Sequence, residues 1–93
     1  MDPEAKNLPF RAEFSDEFRR VVRSLEKRDR MLLGRLAKEI RKVLKNPEIG
    51  KPLRHSLKSY RRTHVGSFVL VYEVVGSSVF FLDFDHHDRI YKK

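Results

Sequence analysis

The sequence predicts a small α+β domain in which two N-terminal helices pack on one face of an antiparallel sheet, in the order β-α-α-β-β-β. Apolar residues recur at helical spacing over residues 16–45, and from about residue 59 they recur with the period of two that is typical of strands. A chain of 93 residues is long enough for one domain. We expect this domain to comprise residues 8–93, after a flexible polar tail at residues 1–7.

The first strand leads directly into the first helix. Phe10, Ala12 and Phe14 alternate with charged residues, which is the pattern of a half-buried strand. Ser15 is a suitable N-cap, and two acidic residues follow it, where the helix dipole favours negative charge. The predicted helix therefore runs from about residue 16 to residue 27.

A second helix is predicted to begin after Asp29, which can cap it, and to end at Asn46-Pro47. Its apolar residues lie on one side of the helix, where they can face a core. They are Leu33, Leu36, Ala37, Ile40, Val43 and Leu44.

Three consecutive strands are predicted at Ser59–Val65, Ser67–Val75 and Ser78–Phe84. The turns at Val65-Gly66 and Gly76-Ser77 are short enough for antiparallel hairpins. Both faces of these strands are largely apolar, and two helices can cover only one of them. We expect the other face to be covered by the C-terminal segment, by residues 50–58 or by a partner protein.

Regular alternation predicts which side chains of these strands share a face. In the middle strand, one face of the sheet is expected to carry Phe68, Leu70, Tyr72 and Val74, and the other face Val69, Val71, Glu73 and Val75. In the last strand, one face is expected to carry Phe80, Leu82 and Phe84, and the other Val79, Phe81 and Asp83.

The net charge of +8 and the sequence pI of about 10.1 favour a polyanionic partner, either nucleic acid or an acidic protein. A basic surface can also serve solubility or heat adaptation. The absence of cysteine excludes disulfides and thiolate chemistry. No apolar run approaches the length of a membrane span, so we expect a cytoplasmic protein.

Basic residues are concentrated in two parts of the chain. The segment 51–72 contains five lysines and arginines, two histidines and no acid. The outer faces of both predicted helices are also basic, which usually means a solvated helix face. A helix-turn-helix DNA-binding motif is disfavoured, because strands follow where a third helix would be needed.

Several segments together resemble the RelE/ParE toxin superfamily over roughly residues 9–93. The resemblance lies in the order of the elements and in a few short motifs. These are the segment from Asn46-Pro47 to Leu53-Arg54, then Tyr60-Arg61-Arg62, Phe68-Val69-Leu70-Val71-Tyr72-Glu73-Val74, Val79-Phe80-Phe81-Leu82-Asp83 and His86-His87-Asp88-Arg89-Ile90-Tyr91.

The resemblance implies the toxin of a toxin–antitoxin pair that has no cofactor and is neutralised by an acidic antitoxin protein. RelE-like members are ribosome-dependent endoribonucleases that cut mRNA, with contacts to 16S rRNA expected. ParE-like members share the fold and inhibit DNA gyrase. A degenerate toxin that only binds RNA or its antitoxin is a further alternative.

The RelE-like reaction needs groups that move protons and stabilise a phosphorane-like charge. The resemblance assigns Arg61 to phosphate stabilisation and Tyr91 to base stacking or proton transfer. His87 stands where many RelE-like toxins carry arginine, and it can act as an acid or a base because imidazole exchanges protons near neutral pH. RNA and phosphate contacts are expected from Arg54, Lys51, Lys58, Arg62, His64, His86 and Arg89. We expect these side chains to converge into a single cup.

Besides His87, two positions depart from the family pattern. Val69 stands where the family's ribonucleases commonly have arginine, and Thr63 stands where they have a second lysine. Arg62 and His64 can compensate only if they face the site, and strand alternation places them opposite Arg61 and Thr63. A metal site within Asp83–Asp88 is disfavoured, since neighbours on an extended chain point apart.

Overall fold

The computed structural model describes residues 8–53 and 59–92. The predicted fold class is confirmed: a sheet carries two long helices on one face. The flexible tail predicted at residues 1–7 lies outside the described residues. The strands are β1 (Arg11–Phe14), β2 (Lys51–Pro52), β3 (Tyr60–Val65), β4 (Phe68–Val75) and β5 (Ser78–His86); the helices are α1 (Asp16–Arg28), α2 (Arg30–Lys45) and a short C-terminal α3 (His87–Ile90).

The predicted caps set the starts of both long helices. The Ser15 side chain accepts a hydrogen bond from the Phe18 backbone N–H at 3.0 Å, and Asp29 accepts one from Leu32 at 3.0 Å. Each side chain satisfies a backbone donor that has no partner within its own helix. The Ser15 hydroxyl also donates to the Leu82 carbonyl at 2.8 Å, which ties the start of α1 to the sheet.

The strands of the sheet follow the order β1-β5-β4-β3-β2. The meander β3-β4-β5 is antiparallel as predicted, and Gly66 and Gly76 occupy its turns with φ of 60° and 59°. β1 instead pairs parallel to β5, so the sheet is mixed. No hairpin joins these two strands, and therefore no tight turn imposes antiparallel pairing on them.

A β-bulge in β5 overturns part of the predicted alternation. Val71 pairs with Asp83, but Tyr72 pairs with Phe81, so Leu82 is the extra residue of the bulge. The bulge shifts the alternation by one position. Phe84 consequently joins Phe81 in the core beneath the helices, whereas the regular pattern placed it on the opposite face.

The two faces of the sheet carry separate apolar clusters. The helix face buries the larger one, which includes Phe18 of α1, Leu36 of α2 and Tyr72 of β4. On the second face, Ile90 of α3 packs with Val69 and Val71. Leu53 packs against the same cluster, so the C-terminal segment and the chain after β2 both cover this face, as expected.

Neither α1 nor α2, nor any other helix within the described residues, is long and apolar enough to cross a membrane.

Candidate functional site

Arg61 and Arg62 are neighbours on β3 and therefore face opposite sides of the sheet. Arg61 pairs with Tyr72 of the helix face. Its Nη1 donates a hydrogen bond to the Gly50 carbonyl at 2.6 Å. The structure thus places Arg61 in a backbone contact on the helix side, apart from the second face on which α3 lies.

Tyr72 holds the same turn from inside the core. Its buried hydroxyl accepts a hydrogen bond from the Gly50 N–H at 2.9 Å and donates one to the Pro47 carbonyl. Burial raises the pKa of Tyr72 above its ordinary value of 10.0, against the opposing effects of the Gly50 hydrogen bond and the Arg61 charge. Together, Arg61 and Tyr72 fix the Pro47–Gly50 turn that leads into β2.

Arg62 pairs with Val71 and lies on the second face. Its guanidinium carbon is 5.8 Å from the centre of the Tyr91 ring, within the range of a cation–π contact. The Nε of Arg62 is buried and has no hydrogen-bond partner among the described residues. Lys51 of β2 stands directly opposite Arg62 in the strand pairing. Two cations side by side are suited to binding an anion.

His87 is the first residue of the short helix α3, and Tyr91 directly follows its last residue, one turn further along the chain. The His87 backbone N–H donates to the Ser67 carbonyl at 2.9 Å, which anchors the helix to the turn between β3 and β4. The half-exposed His87 ring has its Nδ1 3.0 Å from Oδ1 of Asp88. This arrangement orients the imidazole and leaves its Nε2 for a ligand.

Sequence reasoning gave Asp88 no role in orienting His87. The available signal was an acid that directly follows a histidine, but it becomes meaningful only when the chain turns helical at that point.

The expected binding residues divide into three groups. His64 pairs with Val69, so it shares the second face with Arg62. The His86 side chain caps α3, and its ring lies 4.4 Å from the His87 ring. The Arg89 side chain donates a hydrogen bond to Asp85 at 2.7 Å, and this carboxylate partly neutralises the charge of Arg89. Arg54 and Lys58 lie outside the described residues. Within the described part of the chain, the structure brings Lys51, Arg62 and Tyr91 together, and His87 begins the short helix that Tyr91 follows.

The positions that depart from the family pattern have different surroundings. Val69 is fully buried in the second-face cluster beneath Ile90. Thr63 is buried on the helix side, and its hydroxyl has no hydrogen-bond partner among the described residues. Thr63 therefore faces away from Arg62.

A cavity of about 420 Å³ borders this site on the second face. Its lining combines apolar residues of the second face, among them Val71, Leu82 and Ile90, with three acidic residues, Asp16, Glu17 and Asp83. Because Val71 pairs with Arg62 and Ile90 precedes Tyr91, the cavity adjoins the cationic pair. The apolar part of the lining suits a flat ring, whereas the carboxylates disfavour a phosphate inside the cavity; the paired cations lie outside its lining.

Comparisons with a family model and with individual proteins point to the same kind of protein. The family described as "ParE toxin of type II toxin-antitoxin system, parDE" matches residues 8–91. The chain is 43% identical to a putative toxin, RelE4, of Methanocaldococcus jannaschii over 77 residues, which cover 80% of this chain and 82% of that protein.

Solved structures show the same fold. The YoeB dimer from Staphylococcus aureus aligns with a TM-score of 0.75 and 15% identity over 85% of this chain and 98% of the YoeB chain. A chain of the RelBE2 toxin–antitoxin complex from Mycobacterium tuberculosis aligns with a TM-score of 0.71 and 24% identity over 86% of this chain and 93% of that chain.

Proposed function

We propose that this chain, which belongs to the RelE/ParE superfamily of toxins of type II toxin–antitoxin systems, is an endoribonuclease that cuts mRNA on the ribosome. The observation that carries this proposal is the position of the Arg62 side chain. It is half-buried on the second face, beside Lys51 and against Tyr91. Its outer guanidinium nitrogens would bind the negatively charged, non-bridging oxygens of a phosphate.

The proposed reaction needs no metal. The 2′-oxygen of one nucleotide forms a bond to phosphorus while the bond to the 5′-oxygen of the next nucleotide breaks. His87 gives a proton to that 5′-oxygen from Nε2, and water accepts the 2′-hydroxyl proton. Arg62 stabilises the negative charge on the equatorial oxygens around phosphorus, the role predicted from the sequence for Arg61. The products are a 2′,3′-cyclic phosphate and a free 5′-hydroxyl.

The remaining groups position the substrate. The Tyr91 ring, held by Arg62, stacks on a base next to the cut, and the adjoining cavity receives a neighbouring base. Lys51 and His64 contact the flanking phosphates from the same face.

The proposed partners follow from family and charge. The RelBE2 structure is a complex of a toxin with its antitoxin, and a net charge of +8 suits an acidic antitoxin here. The same charge favours contacts to 16S rRNA when the protein sits on the ribosome. We place this activity in the cytoplasm, where ribosomes translate messages.

Controlled expression tests the proposal. We expect induced wild-type protein to arrest growth and to produce mRNA cut within codons, which primer extension maps. Arg62→Gln and His87→Ala should abolish the cuts while the purified variants keep their thermal unfolding midpoints. Arg20→Gln removes the same charge from the exposed face of α1 and should cut as the wild type does. Intact messages in cells arrested by the wild type would refute the ribonuclease.

Inhibition of DNA gyrase is a second candidate, because the matching family is described as ParE toxins. It predicts intact messages together with a DNA-damage response in the same expression experiment. In that case Arg62→Gln should leave purified gyrase as sensitive as before, since an RNA phosphate would no longer be the ligand.

A further inference from the structure

Two imidazoles and a carboxylate lie together at the start of α3. Ligating atoms of His86, His87 and Asp88 are all within 4.8 Å of one another. Nδ1 of His87 is 3.0 Å from one carboxylate oxygen of Asp88, and Nδ1 of His86 is 3.6 Å from the other. All three side chains are at least partly exposed, so an ion can reach them.

The local backbone explains why three consecutive residues converge. Sequence reasoning treated this segment as extended, in which case neighbouring side chains would point apart. Instead β5 ends at His86, and a helical turn begins at His87. The Asp88 N–H donates to Nδ1 of His86 at 3.2 Å, which folds the first imidazole back over the turn. The two rings consequently lie 4.4 Å apart.

The spacing of these atoms suits a small metal ion. In a tetrahedral site with bonds of about 2.0–2.1 Å, adjacent ligand atoms are roughly 3.3 Å apart. The two separations, 3.0 Å and 3.6 Å, lie on either side of that value, and because they involve different oxygens of Asp88, one ion would be bound by both oxygens of that carboxylate. We infer that His86, His87 and Asp88 form a binding site for a divalent transition-metal ion of the zinc class.

The ligand chemistry selects among metals. Two imidazole nitrogens with one carboxylate oxygen suit Zn²⁺, Ni²⁺ or Cu²⁺, whereas Mg²⁺ and Ca²⁺ prefer oxygen ligands only. A bound ion replaces the proton on Nδ1 of His87 and the hydrogen bond that His86 accepts, while water completes its coordination.

Because His87 belongs to both sites, metal binding would regulate RNA cleavage; this regulatory role rests on the proposed function. A metal ion bound at Nδ1 takes the place of one proton of the His87 imidazolium, so the ring is no longer the cationic acid that would donate a proton from Nε2. Zinc therefore acts as a reversible inhibitor of the ribonuclease. The metal-free protein is the active form.

Calorimetric titration of the purified protein with Zn²⁺ tests the binding site without reference to activity. We expect one saturable site that excess Mg²⁺ does not compete for. His86→Gln and Asp88→Asn should each weaken zinc binding by on the order of tenfold or more, since each removes one ligand. His64→Gln is the matched control, because it removes an exposed imidazole outside the cluster and should leave the affinity unchanged. Absence of saturable binding, or equal affinity in all four proteins, would overturn the inference.

A second measurement separates the two proposals. If the protein cuts RNA, Zn²⁺ should stop the cutting, a chelator should restore it, and Asp88→Asn should need a higher Zn²⁺ concentration for the same inhibition. Zinc binding in a protein that cuts no RNA would refute the ribonuclease and leave the metal site standing. Cutting that Zn²⁺ does not inhibit, despite measured binding, would overturn the regulatory role.

Discussion

Arg61 and Arg62 show how one position along a strand decides the role of a side chain. Arg61 donates to the Gly50 carbonyl at 2.6 Å, whereas Arg62 lies against Tyr91 on the other face. We expect Arg61→Gln to lower the free energy of unfolding by roughly 1.5–3 kcal/mol, because it removes a charged hydrogen bond to the backbone. Urea denaturation measures this. Arg62→Gln is the control and should unfold nearly as the wild type does, so equal losses in both variants would contradict the division of roles.

The buried hydroxyl of Tyr72 makes the free energy of unfolding depend on pH in the alkaline range. Burial raises its pKa in the folded protein, so the unfolded chain loses the phenolic proton first, near the ordinary value of 10.0. The stabilising contribution is therefore complete below that pH and is lost as the pH rises through the folded-state pKa. We expect unfolding free energy to fall by up to about 1.4 kcal/mol per pH unit in that window.

Tyr72→Phe separates this effect from the titration of other groups. The variant should be less stable by about 1–3 kcal/mol at neutral pH, since it leaves the Gly50 N–H and the Pro47 carbonyl without their partner. Its further loss of stability above pH 10 should be smaller than that of the wild type. The exposed Tyr91→Phe should retain the wild-type dependence, and an unchanged dependence in Tyr72→Phe would contradict the assignment.

At the scale of elements, the sequence predicted the helices well because their signals are local. Ser15 and Asp29 cap α1 and α2 at the predicted positions, and glycine turns define the meander. The bulge at Leu82 could not be predicted from such local features of the sequence. Both possible registers of β5 place apolar side chains on each face, and only packing against the helices selects between them.

The helix α3 depends on a single apolar anchor. Ile90 is 8% exposed and packs on Val69 and Val71. We expect Ile90→Ala to lower the free energy of unfolding by about 2–5 kcal/mol and to increase binding of a hydrophobic dye, because it uncovers the second face. Chemical denaturation and dye fluorescence measure the two effects.

Met31 provides the control for that substitution, since it is 83% exposed on α2. Met31→Ala should change the free energy of unfolding by no more than about 0.5 kcal/mol. If the two variants behaved alike, Ile90 would not anchor α3. The positions of His87 and Tyr91 would then need another explanation.

At the scale of the whole molecule, the candidate site was predicted in part. The sequence identified the residue types and the two segments that carry them, the middle strands and the C-terminus. It could not decide which of two adjacent arginines faces α3, because that depends on the pairing of Arg62 with Val71. Nor could it show that Asp88 lies beside His87, since this requires the helical turn.

The net charge of +8 predicts that binding to RNA depends steeply on salt. For single strands, each neutralised phosphate contributes about 0.7 to the slope of log affinity against log salt concentration. Most basic side chains on α1 and α2 contribute only to the general field, whereas Arg62 is proposed to contact a phosphate directly. We therefore expect Arg62→Gln to reduce the slope for a short single-stranded RNA by about 0.7, measured by fluorescence anisotropy over a series of salt concentrations.

Arg61→Gln distinguishes a direct phosphate contact from a simple loss of charge. The substitution removes the same charge from the neighbouring position. The Arg61 side chain, however, binds the Gly50 carbonyl on the face of the sheet opposite Arg62. Measured at a temperature where this variant is fully folded, its salt slope should equal that of the wild type. If both substitutions reduced the slope equally, the field of the whole protein would account for RNA binding, and Arg62 would lose its role as the specific phosphate ligand.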